Sequence, residues 1–323
     1  MERQENKRGY PENVCYSEHL KLDELKKRAE GLGNGYISKE NIPPYPRPEF
    51  HVTHLKHDTG GDGLCGIKES NGFCVPGPEG PGKLLWWSLM VRPEDIQSAE
   101  RRLLDQIYPD RTEEQAQMQQ PFLGKFATSP AFLDSSRLGS YRFTFPLEEL
   151  LTAYSQQLCS GAQPVMRVFK TVLYKQEVMH AVLVHSPANQ ELFSGYPLLP
   201  DDPNSVCAYR DGRFIWRPEA MCNTHSYEFV RNNNAKQLEV NKLSGDRYYV
   251  WDNVAIALHV EKGQVLKFST EQLRENLTFC ERGTPITTHP DSFDKFKDAE
   301  ALVTSLWPGY PSELEHSVNI QAS

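Results

Sequence analysis

Hydrophobic positions change their period along the chain, and each change marks an element. Leu84 to Val91 is a compact apolar run with β-formers at its centre, which predicts a buried strand. Directly after it, Ile96, Ala99, Leu103, Leu104 and Ile107 recur at three- and four-residue steps, predicting an amphipathic helix over 93–108. Pro93 with Glu94 and Asp95 suits a helix start, since proline is tolerated in the first turn and acids complement the helix dipole there. Upstream, the residues around His51 and Thr53 predict a short strand. The Gly- and Asp-rich run from His57 to Phe73 predicts a turn ending in Gly72-Phe73.

Downstream, Tyr141 to Phe145 alternates aromatic and polar residues and predicts a strand. Pro146 opens a helix over 147–158, which Gly161 ends. Pro164 to Thr171 and Val178 to His185 predict two strands joined by 172–177. Asp211-Gly212 predicts the turn of a hairpin between Cys207–Tyr209 and Arg213–Trp216. Gln237 to Val240 and Tyr248 to His259 are strand-like, and Gln264 to Phe268 is expected to pair with the latter. Helices are expected from Ser269 or Thr270 to Leu277 and over 298–306.

This pattern divides the chain into three parts. Residues 1–48 form a leader with one helix over 19–32, whose apolar stripe is Leu20, Leu22, Leu25 and Leu32, and a Pro-rich linker, IPPYPRP, at 42–48. Residues 49–190 form a central unit, and residues 191–323 a β-rich C-terminal extension packed on it. The expected fold class is α+β, with split mixed and antiparallel sheets and flanking helices.

Composition narrows the function classes. The chain has 323 residues, enough for one large or two small domains. Mean hydropathy is −0.59, and no stretch approaches the roughly 20 apolar residues of a bilayer span. The first residues carry no apolar targeting segment, so no membrane association is expected. Seven scattered cysteines without a CxxC pair argue for a reducing compartment, cytoplasmic or nuclear. Cys65 and Cys74 with His51, His54 and His57 fit no zinc spacing, so no metal is expected. A net charge of −8 argues against broad nucleic-acid binding. The chain has no GxSxG, P-loop, HExxH or GxGxxG signature. Cys222 and His225 lie too close in sequence for an ordinary thiol dyad.

The candidate chemistry lies between His51 and Glu177. His51-x-Thr53 on a strand, a turn ending in Gly72-Phe73, Trp87-Ser88 on the next strand and then a helix make an order that resembles the NAD-binding half of the ADP-ribosyltransferase fold. Glu177, just before VMHAVLVHSP, resembles that family's third signature, a Glu at the mouth of a late apolar strand. The resemblance covers residues 50–190. It implies an ADP-ribosyltransferase-like fold with NAD as substrate. It also implies that His51 and Thr53 hold the ribose and amide of NAD. Trp87, where the family usually has Tyr, is implied to stack on the nicotinamide, and Ser88 to position the ribose or Glu177. Glu177 is implied to bond the ribose and stabilise the oxocarbenium-like carbon as nicotinamide leaves. The loop Gly77 to Gly82 is expected near the pocket rim.

The resemblance therefore implies a mono-ADP-ribosyltransferase-like protein that passes ADP-ribose from NAD to a macromolecular acceptor. A rival position, Asp246 to Asp252, resembles the last catalytic strand of the poly-ADP-ribose polymerase branch, but Arg247 stands where the Glu belongs. Glu177 is preferred because the carboxylate is present there. Two alternatives stay open: a catalytically inactive module that binds NAD or ADP-ribose, and a protein-interaction module of unrelated α+β fold.

Overall fold

The computed structural model describes residues 1–6, 9–38, 47–75, 84–126, 129–175, 177–219, 227–232, 237–242, 251–282 and 293–309. In chain order the strands begin with β1 (Glu2–Glu5), β2 (Pro11–Tyr16), β3 (Phe50–Val52), β4 (His54–Thr59) and β5 (Gly72–Phe73). They continue with β6 (Leu84–Met90), β7 (Tyr141–Pro146), β8 (Val165–Tyr174), β9 (Glu177–His185), β10 (Cys207–Arg210) and β11 (Arg213–Trp216). The last are β12 (Tyr227–Asn232), β13 (Gln237–Lys242), β14 (Trp251–His259), β15 (Leu266–Lys267) and β16 (Leu277–Phe279). The α-helices are α1 (Leu22–Arg28), α2 (Gly61–Ser70), α3 (Pro93–Ile107), α4 (Glu113–Met118), α5 (Leu147–Leu158), α6 (Thr270–Glu275) and α7 (Phe296–Leu306). The expected mixed α+β class, with several sheets and flanking helices, is what the chain forms.

Nine strands make one mixed sheet in the order β1-β2-β8-β9-β14-β6-β4-β7-β16. Its one described parallel pair, β9 with β14, lies at the centre, where both strands read as apolar runs. Strand residues alternate between faces. One face presents Leu55, Trp87, Leu89, Phe143, Phe145, Val182, Val184, Val254 and Ile256 to the main core. That core is closed by Leu64 and Ile67 of α2, Leu103 and Leu104 of α3, Leu150 and Tyr154 of α5 and Val303 of α7. The three-stranded sheet β10-β11-β3 adds Phe50, Phe214 and Trp216 to it. The opposite face of the large sheet is mixed: Lys56, Asp58, Ser88, Arg142 and Asn253 lie on it beside a smaller apolar cluster of Leu84, Phe169, Ala181, Leu183 and Ala257.

Three expectations are corrected. Residues 1–48 are not a leader outside the fold: β1 and β2 extend the large sheet, and Leu20 and Leu25 pack with Leu173 and Val178. Their short, polar sequences carry little strand signal, and pairing with β8 supplies the stability. Residue 190 is not a unit boundary either, because β14 lies between β9 and β6 in the sheet centre. The Gly- and Asp-rich run after His57 is strand β4 followed by helix α2, not a turn. Leu64 and Ile67, one turn apart on α2, enter the core, and Asn71 in a left-handed conformation ends that helix.

Residues 264–268 also take a different partner from the one expected. Leu266–Lys267 pairs antiparallel with Phe73–Gly72, not with β14, whose two edges β9 and β6 occupy. The Pro-rich stretch 42–46 and the loop Gly77 to Gly82 lie outside the described residues.

Close approach makes Gly72 obligatory. A Cβ there would collide with the Leu266 carbonyl oxygen and lie 2.8 Å from the Lys267 Cα. Gly72→Ala is therefore expected to destabilise the fold by about 1–3 kcal/mol, the usual range for overpacking, measured as a lower midpoint of urea unfolding.

Candidate functional site

A cavity of about 500 Å³ opens on the polar face of the large sheet. Strand register builds its floor in rungs. Lys56 pairs with Ser88, Ser88 with Ala255, Ala255 with Ala181, and Ala181 with Lys170. The next rung is Asn253, Met179 and Val172. Beyond it, Glu177 stands opposite Tyr174 at the turn between β8 and β9. Small side chains in the first rung leave a hollow, with a lysine at each end. The β1–β2 hairpin supplies a wall with Gln4, Tyr10 and Glu12, and residues 130–138 supply the roof.

Beyond the short 3-10 turn Pro130–Phe132 the roof is irregular chain, so several of its carbonyls need partners from elsewhere. The sheet provides them. Lys56 Nζ donates to the carbonyls of Pro130 (2.7 Å) and Leu133 (2.9 Å). The Arg142 guanidinium donates to the Asp134 carbonyl (2.9 Å) and pairs through both ends with Asp58, at 2.7 and 2.9 Å. Burial pushes the Asp58 carboxyl up, but the charge and hydrogen bonds of Arg142 outweigh it and hold the group below its usual range. Burial, helped by the charge of Arg142, pushes the Lys56 ammonium down to about 7. At the open side Arg137 pairs with Glu177, whose side chain is 10% exposed.

The residues expected to act together are partly separated. Glu177 and Ser88 both line the cavity. Trp87 contributes only backbone, because its indole points to the other face. It is 1% exposed and packs on Phe73, with ring centroids 4.9 Å apart, and on His57 and Phe145. The neighbouring indole, Trp86, faces the cavity side, where Lys170 Nζ lies 5.8 Å from its ring centre. His51 is not at the cavity. It lies on β3, in the small sheet, and its Nε2 bonds the Glu49 carboxylate at 2.7 Å. Thr53 is also elsewhere, with its hydroxyl 2.9 Å from His54 Nδ1. The single-residue step between Trp86 and Trp87 decides which ring faces the cavity, and only the register of β6 against β14 fixes it.

Lys56, Asp58, Arg142, Arg137 and Asn253 are the residues that sequence reasoning missed. A signal existed for three of them. In HLKHDT and YRFTF the core residues Leu55, Tyr141, Phe143 and Phe145 alternate with Lys56, Asp58 and Arg142. Charged residues at every second place on two neighbouring strands mark a polar sheet face. Asn253 carried none, since it stands with Asp252 at the polar start of a strand whose run from Val254 to Leu258 is apolar. The rival stretch Asp246 to Asp252 lies outside the described residues up to 250, and Asp252 is buried beside His180 on the helix side. Cys222 and His225 lie outside them as well.

Other chemistry is poorly served. On the helix side, Cys207 Sγ lies 3.6 Å from His19 Nδ1. The thiol is fully buried and burial raises it, while burial lowers His19 to about 4, so the pair does not form a reactive thiolate. Among the described residues no three His, Cys, Asp or Glu side chains gather in a way that could hold a metal ion. None of the described helices is long and apolar enough to cross a membrane.

Two measurements check the roof network. Asp58→Ala leaves the Arg142 charge buried and uncompensated, and should cost roughly 3–5 kcal/mol in urea unfolding. The contribution of Asp58, present above its ordinary value near 3.8, should be lost as pH falls through its depressed value in the fold. Lys56 acts in the same sense at higher pH, by relief of a burial cost rather than by gain of a partner. Between about 7 and its ordinary 10.5 the unfolded chain holds a proton that the folded one has released. The stability of the protein relative to Lys56→Met should therefore rise with pH across that window, as read from unfolding at pH 7 and pH 9.5. No family model, no curated protein and no solved structure matches the chain.

Proposed function

We propose that the cavity on the polar face of the large sheet binds a small polar ligand, with Glu177 as the acid that meets it. One observation carries this reading. Its 500 Å³ volume lies within the usual range for small-molecule sites, and its floor joins apolar side chains to a few convergent polar groups. Trp86 offers a face for a planar ring, and Lys170 and Arg137 offer positive charge for an anionic group.

NAD is the ligand we put first, with transfer of ADP-ribose to a macromolecular acceptor as the reaction. Loss of nicotinamide leaves positive charge on the sugar, and a carboxylate in a partly dry pocket stabilises such charge more than it would in water. Glu177 would supply that carboxylate, and Ser88 a hydroxyl for the ribose. Since His51, Thr53 and the Trp87 indole stand elsewhere, the ring contact falls to Trp86. Arg137 sets a condition: while it pairs with Glu177 it cancels the field that the reaction needs. A pyrophosphate attracts guanidinium strongly and would draw Arg137 off the acid.

The same ion pair favours a second reading, a module that binds the nucleotide without turnover. Labelled NAD separates the two. Transfer of label by the wild-type chain, reduced at least a hundredfold in Glu177→Ala with binding kept, supports the transferase. Binding by calorimetry without any transfer supports the module. In both cases Trp86→Ala should weaken NAD binding about tenfold, since stacking on one aromatic ring is worth roughly 1–3 kcal/mol. Absence of NAD binding overturns both.

A further inference from the structure

We infer that Asn253, with Ser88 beside it, is the subsite for a planar ring edge that carries adjacent hydrogen-bond donor and acceptor groups, as in a nucleobase. This rests on the reading of the cavity as a small-ligand site.

The starting point is an amide without a partner. Asn253 is 9% exposed and lines the cavity, and among the described residues its side chain has no hydrogen-bond partner. Its neighbours on the apolar strand β14 face either the core or the hollow beside it. Native proteins leave few nearly buried polar side chains without a protein partner. A side chain of this kind, aimed into a cavity, fits a ligand that completes it.

The surroundings set the ligand's shape. Next to Asn253 along the sheet lies the rung Ser88, Ala255 and Ala181. Three strands with small side chains leave a flat trough about 10 Å wide, from a strand spacing near 4.8 Å. Trp86, paired with Ala257, stands one rung further on. A planar ring lying over Ala255 would meet the indole at one edge and the amide at the other. The Ser88 hydroxyl has no hydrogen-bond partner among the described residues either, and Ser88 lines the same cavity.

The chemistry of the amide sets the edge. Asparagine presents a carbonyl acceptor and an N–H donor side by side. Its natural complement is a donor and an acceptor on adjacent positions of a ring, the arrangement through which Asn reads a base edge in nucleic acids. A sugar can meet the same amide with neighbouring hydroxyls but has no planar ring to lie over Ala255 and against Trp86, and a simple phosphate has no ring at all.

The test compares uridine and adenosine with methyl β-D-ribofuranoside, which has the sugar but no base, by calorimetry on the full chain and on Asn253→Leu. We expect the nucleosides to bind the wild-type protein at least tenfold more tightly than the methyl riboside. Asn253→Leu should abolish that difference without lowering the melting temperature, because it replaces an unpaired polar group by an apolar one of similar size. Nucleoside binding that survives unchanged in Asn253→Leu overturns the inference and leaves the ligand site standing. A melting temperature several degrees lower in Asn253→Leu also overturns it, by giving Asn253 a structural role. If neither nucleosides, methyl riboside nor NAD binds, the ligand-site reading falls and the inference with it.

Discussion

Two buried cations from neighbouring strands hold the cavity together by grasping the carbonyl oxygens of its roof. Lys56 on β4 and Arg142 on β7 reach up from the sheet to the backbone of residues 130–135. That segment is irregular beyond one 3-10 turn, and a covered loop must still satisfy its polar groups. Backbone N–H groups reach only some of its carbonyls, so side chains from the sheet complete them. Asp58, on the same strand as Lys56, balances Arg142 and makes the arrangement tolerable in a site shielded from water. A buried ion pair of this kind adds little net stability. Its value lies in geometry, because the donors on one guanidinium and one ammonium permit few roof positions.

The floor depends on a different constraint, the alternation of side chains along paired strands. Cross-strand register places Ser88, Ala255 and Ala181 in one row, and their small size creates the hollow. The same register turns Trp86 toward that hollow and Trp87 into the aromatic core around Phe73 and Phe145. A shift of one residue in β6 would exchange the two rings and close the space. The core therefore protects the site indirectly: the apolar demand of one face fixes what the other face presents.

Charge within the cavity is mixed and mutually restrained. Glu177 is held by Arg137, and Lys170 lies among the rings of Tyr16, Trp86 and Phe169. A ligand that brings both an anionic group and a planar ring can take over these contacts. One that brings neither would have to break the ion pair for no return. This restraint links the electrostatics of the site to the class of molecule proposed for it.

The amino-acid sequence by itself determined the mixed α+β class, the helices α3, α5 and α7, the strands β6, β7 and β9 and the hairpin β10–β11, because each has a clear period or turn signal. It also singled out Glu177 and Ser88, which do face the cavity. Tertiary structure alone decided that β2 and β14, far apart along the chain, belong to the same sheet, since pairing partners leave no local trace. Only packing settled that His51 lies in another sheet, that Trp86 and not Trp87 faces the hollow, and that Asn253 stands unpaired within it. A side chain's type can be read locally, but its direction and its neighbours depend on register between distant strands, which no single segment encodes.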